Sequence, residues 1–137
     1  LAGRYTLLEQ EPLRTLFPAC AAQSVGIVVG GPFNSGVLAG KSSYDYSNVT
    51  AAIAARVEEL TKRCRDYDVM LPQAALQFPL AHPLVVSVIP GTQSAAETEQ
   101  NVALLRQSVP AGLWDDLKRS GLVDMESPTP ERGASSC

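Results

Sequence analysis

Apolar positions along this chain follow two patterns, helical spacing and short unbroken runs. Leu13, Leu16, Phe17 and Cys20 recur at helical spacing after Glu11-Pro12, which predicts a helix over about 12–23 with Pro12 in its first turn. Pro18 opposes this, because an interior proline removes an amide donor, so the helix is expected to kink or to start late. Val25-Gly26-Ile27-Val28-Val29 is an unalternating run of strand length and predicts a strand buried on both faces. Residues 30–48 lack a sustained period and read as a long loop. From Asn48 or Thr50, the apolar positions Ile53, Val57, Leu60, Cys64 and Tyr67 fall four, three, four and three apart, an amphipathic helix. Pro72 opens a second helical run with Ala74, Ala75, Leu76 and Phe78, closed by Pro79. Val85 to Ile89 is another apolar run and predicts a second buried strand, stopped by Pro90-Gly91. Ser94-Ala95-Ala96-Glu97 matches a capping box, in which Glu97 reaches back to the Ser94 amide, and starts a helix to about Arg106. A last helix begins at Pro110 with Leu113, Trp114 and Leu117 inward and Gly121 as a left-handed stop. The period vanishes at Asp124, so an ordered part over 1–123 and a mobile tail over 124–137 are expected.

Buried strands separated by helices indicate a parallel α/β sheet or barrel. Two or three strands make too little sheet for this many helices, however. At 137 residues the chain has the length of one domain, and 45% hydrophobic residues suit a packed core. A chain starting at Leu1, inside what reads as the end of an ordered element, is expected to be a piece of something longer.

Charge narrows the partners. The net charge of -3 provides no broad basic field for nucleic acid or anionic lipid, and no apolar run approaches membrane-span length. LAGRYTLLEQ lacks the regions of a signal peptide, so the cytoplasm is the expected compartment. Cys20, Cys64 and Cys137 form no CxxC pair and suit neither a disulfide framework nor a zinc site. Cys20 and Cys64 fall on apolar helix stripes and read as core.

Two junctions join the carboxyl end of a strand to a polar, glycine-containing loop, Gly30-Gly31-Pro32-Phe33-Asn34-Ser35-Gly36 and Pro90-Gly91-Thr92-Gln93-Ser94. Ligands of parallel α/β proteins bind at that end, and the second junction leads into a capped helix whose free amides favour an anion. Both also read as ordinary turns that need glycine for its dihedral freedom. Gly36 to Ser42 imitates a nucleotide P-loop but has three residues between its glycines where the motif needs four. His82, the only histidine, lies at the connection into the second strand, away from the ligand face, and reads as structural. Glu9, Glu11, Glu58 and Glu59 read as solvated charges. Sites for holding a ligand are present without a set of groups for transforming one.

These residues resemble a known family. VVVGGPFNSGVLAG, followed by AALQFPLAHPLVVSVIPGTQSAAETEQNVALL, is similar to the carboxyl-terminal part of an aldo-keto reductase, and LAGRYTLLEQ, GGPFNSG, YDY, LQFPLAHP and EQNVALL resemble its sugar-oxidising branch. The resemblance implies the carboxyl-terminal portion of a (β/α)8 TIM barrel, about strands 6–8 with their helices, missing the amino-terminal half that carries the catalytic tyrosine, lysine, aspartate and histidine. It implies an oxidoreductase that oxidises an aldose such as L-fucose or D-arabinose at the anomeric carbon to the lactone. A sugar or aldehyde would be the substrate, and this chain alone would be inactive. The cofactor contacts it implies are Gly31, Pro32 and Phe33 over the pyrophosphate, Gly91, Thr92 and Gln93 around the adenosine phosphate or ribose, and Gln100 with Asn101 facing adenine. Gly30 replaces a stacking tyrosine, and Ala2 replaces an amide residue at the carboxamide. A ribose 2'-phosphate needs a basic partner, yet 90–101 holds none and contains Glu97 and Glu99, which favours NAD over NADP. Phe33, Tyr44 and Tyr46 are candidates to cover substrate or to pack the long loop. The alternative is a non-catalytic nucleotide-binding or subunit-interaction module.

Overall fold

The computed structural model describes residues 1–40, 43–44 and 47–130, the last pairs of the long loop as backbone only. Tyr46, the Lys41-Ser42 end of the P-loop-like run, Cys137 and the segment from Glu131 lie outside the described residues, as does the Tyr44 side chain.

After a single-turn 3-10 helix over Glu11–Leu13, the helices are α1 (Leu16–Ala22), α2 (Ala51–Asp66), α3 (Leu71–Leu80), α4 (Ala95–Arg106) and α5 (Ala111–Arg119). The strands are β1 (Ile27–Gly30), the short antiparallel pair β2 (Ser43–Tyr44) and β3 (Ser47–Asn48), and β4 (Val85–Ile89). Strands β1 and β4 pair in parallel, and a bridge from Ala2 to Gly30 brings the first residues alongside the other edge of β1. Parallel pairing needs a long crossover. Here it is the segment containing α2 and α3.

Local chemistry explains the boundaries. The expected helix over 12–23 is split, and α1 starts late at Leu16, which places Pro18 in the first turn where its missing amide costs no hydrogen bond. Thr50 caps α2 by accepting the Ile53 amide at 3.3 Å. Pro79 sits in the last turn of α3, which runs one residue beyond it. Gly121 has φ +73 and ends α5 as expected.

The core contains Ile27, Val29 and Val85 from the sheet and Leu60, Cys64, Leu76, Phe78, Leu104, Leu113, Trp114 and Leu117 from the helices. α3 packs on β4, while α2 and α4 pack on α3 and α5 packs on α2. Only one sheet face is covered. Val28, Val86 and Ile89 are 40%, 66% and 60% exposed, contrary to the expectation of strands buried on both sides. Among the described residues the helix packed on the sheet is α3, against β4, and these three side chains are left largely uncovered.

The packed part also extends further than expected. Asp124 accepts from Arg14 at 2.6 Å, its amide donates to Gln10 Oε1 at 3.3 Å, and Ser127 is buried. Small and polar residues past Val123 thus make contacts that no periodic apolar signal marks.

Candidate functional site

The ends of β1 and β4 open on a cavity of about 700 Å³, a volume in the range of small-molecule sites. Three segments wall it. The first follows β1: Gly31 has φ +62, and its amide donates to the Ile89 carbonyl at 3.1 Å, which ties the two strand ends together. Asn34 and Ser35 also adopt positive φ values of 48° and 58°, so the chain coils tightly over Phe33. Asn34 Nδ2 donates to the Gly3 carbonyl at 3.0 Å, and the Gly3 amide donates to the Gly30 carbonyl at 2.8 Å. Those bonds fix the second wall, the segment from Ala2 to Arg4.

The third wall is the turn after β4 with the exposed face of α4. Ser94 Oγ accepts the Glu97 amide at 3.2 Å. Glu97 Oε2 accepts the Gln93 amide at 2.8 Å, one residue before the Ser94 amide that the capping box predicts. The Thr98 hydroxyl stands 3.1 Å from that of Thr92 and further braces the turn. These contacts alter the electrostatic expectation for the start of α4. Its amides are partly occupied by its own caps, and a carboxylate already sits at the positive end of the helix dipole. A further anion at this turn would meet that carboxylate. At Gly91 an added Cβ would meet nothing within 4 Å, so the backbone faces open cavity.

Of the residues singled out in the sequence, Gly31, Phe33, Gly91, Thr92, Gln93, Gln100 and Asn101 all line this one cavity. Pro32 does not; it is buried outside the lining. Gly30 and Ala2 line the cavity too, side by side through their backbone bridge. Sequence reasoning missed Arg4 and Glu9, which both line it. Glu9, expected to be solvated, receives Arg4 Nη1 at 3.2 Å and 3.3 Å on its two oxygens. No periodic signal marks a pair five apart, because a turn around Thr6 creates it: the Thr6 amide donates to the Glu9 carbonyl at 2.8 Å, and Thr6 Oγ1 accepts the Leu8 amide at 3.1 Å.

Tyr5, His82 and Cys64 lie outside the cavity lining and serve packing. Tyr5 is fully buried against Phe17, Phe78 and His82 at ring separations of 4.6, 5.3 and 5.9 Å, and burial pushes its phenol well above the ordinary range. His82 Nδ1 accepts the Leu84 amide at 3.1 Å, and burial lowers its pKa, in keeping with the structural reading. Cys64 is buried in the core with its thiol raised to about 11 by desolvation. Among the described residues no three His, Cys, Asp or Glu side chains gather as a metal site, and no helix is long and apolar enough to cross a membrane.

Comparison with known proteins decides the family. Residues 1–119 match the aldo/keto reductase family. The chain belongs to that family. It is 39% identical over 127 residues to a pyridoxal 4-dehydrogenase of Microbacterium luteolum, covering 90% of this chain and 37% of that protein. It is 41% identical over 135 residues to a D-threo-aldose 1-dehydrogenase of a Pseudomonas species, covering 95% of this chain and 40% of that protein. The chain thus spans about 40% of the length of these curated relatives. Among solved structures, an aldo-keto reductase from Bacillus halodurans superimposes with TM-scores of 0.69 in its apo form and 0.66 in its holo form. Sequence identity is 23% in both cases, with 94% of this chain covered and 44% or 43% of the other, so the likeness speaks for the fold. The parallel sheet with one covered face accords with part of an aldo-keto reductase barrel.

Proposed function

We propose that this chain forms the dinucleotide-binding side of an NAD-dependent aldose dehydrogenase, corresponding to about strands 6–8 of the barrel. The observation that carries the reading is the convergence of Gly31, Phe33, Gly91, Thr92, Gln93, Gln100 and Asn101 on one cavity at the carboxyl ends of β1 and β4. The residues fit an extended dinucleotide. The coiled Gly31–Gly36 turn offers backbone at one end, and the amide side chains of Gln100 and Asn101 suit the edge of a purine at the other. When bound, a nicotinamide ring supplies a hydride acceptor.

This chain's own task is to bind, orient and exclude water. Glu97, held by the Gln93 amide, gives the segment 90–101 a carboxylate and no cation with which to meet a ribose 2'-phosphate, which supports NAD over NADP. Proton transfer from the anomeric hydroxyl of a sugar falls to the preceding part of the barrel, since Tyr5 is buried in the core and His82 packs against Tyr5 and Phe17. The chain alone is accordingly expected to be without turnover. The compartment that fits NAD-linked sugar oxidation and this composition is the cytoplasm. A nucleotide-binding module without catalysis is the second reading, favoured by the packing of Tyr5 and His82 against Phe17, away from the cavity lining.

A chimera tests the reading. The part of the Pseudomonas D-threo-aldose 1-dehydrogenase preceding the matched segment is fused to this chain and assayed with NAD+ against L-fucose, D-arabinose and pyridoxal. Sugar-dependent NADH formation supports the proposal. Turnover with pyridoxal alone overturns the substrate assignment, and a folded but inactive chimera that still binds NAD+ supports the non-catalytic module.

A further inference from the structure

Charge within the cavity is unevenly supplied. Arg4 is the only cation among the described residues lining it, against the two carboxylates of Glu9 and Glu97. Glu97 is bound into the cap of α4, at the β4 side. Arg4 stands on the β1 side, directly after Gly3, which is bonded to both the Gly30 carbonyl and Asn34. It therefore neighbours the Gly31–Gly36 turn. Its mount is firm: Tyr5, Thr6 and Leu7 on the following turn are fully buried, while the Arg4 side chain is 53% exposed. A half-exposed arginine on a rigid base keeps the reach to change partners.

We propose that Arg4 binds the diphosphate of the dinucleotide, and that Glu9 holds the guanidinium beside the cavity until the ligand arrives. The inference rests on the dinucleotide reading above and extends it to a residue which neither the loop motifs nor the strand ends indicate. A diphosphate brings two negative charges into a cavity whose lining, among the described residues, carries one cation and two anions, so its entry is favoured if the cation turns to it. Guanidinium pairs with phosphate oxygens in the same forked geometry as with carboxylate, which makes Glu9 and the ligand direct competitors for Arg4.

Competition gives opposite signs for the two partners. NAD+, adenosine and inorganic pyrophosphate are titrated calorimetrically into the 137-residue chain and into Arg4→Met and Glu9→Gln, with circular dichroism as a check of folding. Arg4→Met is expected to weaken NAD+ about tenfold or more, the loss of a charge-assisted pair, and to leave adenosine unchanged. Glu9→Gln is expected to tighten NAD+ about threefold and to raise pyrophosphate affinity, by removing the carboxylate that competes for the guanidinium. NAD+ binding by the unaltered chain with Arg4→Met and Glu9→Gln both without effect overturns the role of Arg4 while leaving the dinucleotide site intact. Weakening by both substitutions overturns the competition and marks the pair as structural. Absence of NAD+ binding by the folded unaltered chain sinks the dinucleotide reading and this inference with it.

Discussion

Glu97 Oε2 accepts the Gln93 backbone amide at 2.8 Å, so a carboxylate is built into the turn that leads from β4 to α4. Its position sets the expected cofactor preference. In the chimera, Glu97→Arg should shift the ratio of NADP+ to NAD+ affinity upward by about tenfold, because a guanidinium replaces a repelling charge. Glu97→Gln should shift it less. An unchanged ratio in Glu97→Arg, by titration with both cofactors, counts against the turn as the discriminating element.

Asn34 links the loop after β1 to Gly3 through its side chain while holding φ 48. Asn34→Ala loses the buried hydrogen bond and places alanine in the left-handed region, a cost of about 1–2 kcal/mol in stability. Asn34→Gly loses only the bond. Urea unfolding of both variants separates the contributions, and equal costs would show that the backbone conformation is not the larger one.

His82 gives the chain a pH dependence of known sign. Its folded pKa lies below the ordinary 6.5 because burial penalises the imidazolium, so the unfolded chain binds the proton more readily. The stability it contributes is complete above pH about 6.5 and declines as pH falls below that value. Urea midpoints of the native chain should therefore fall between pH 7 and pH 5 more steeply than those of His82→Phe. Parallel profiles would remove His82 as the cause.

Much of this was legible in the sequence, for identifiable reasons. The caps at Thr50 and Ser94 and the stop at Gly121 are local chemistry, and they mark α2, α4 and α5 closely. The loops at Gly31 and Gly91 were visible because glycine follows each strand, and they do share a cavity. What escaped depends on partners distant in sequence. The runs around Val28 and Val86 record two apolar faces, but sequence cannot say that this chain covers only one of them. The Arg4–Glu9 pair depends on a turn organised by Thr6, and the burial of Ser127 on a single small residue docking without a pattern.

That uncovered face has its own consequence. Val28 and Ile89 lie on one side of the paired strands, with Val86 exposed at the irregularity in the register. The isolated chain should bind a hydrophobic dye there and self-associate at high concentration. The double substitution Val86→Thr with Ile89→Thr should reduce both without a lower melting temperature, since neither side chain is in the core. Undiminished dye binding would place the sticky surface elsewhere.

The dinucleotide site itself is tested most directly by amide NMR of the 137-residue chain during titration with NAD+. Saturable shifts confined to Ala2–Arg4, Gly31–Gly36, Gly91–Gln93 and the Gln100–Asn101 face of α4, with α5 unmoved, are the expected result. Saturable shifts centred on α2 or α5, or none at any concentration in a well-dispersed spectrum, would contradict the account.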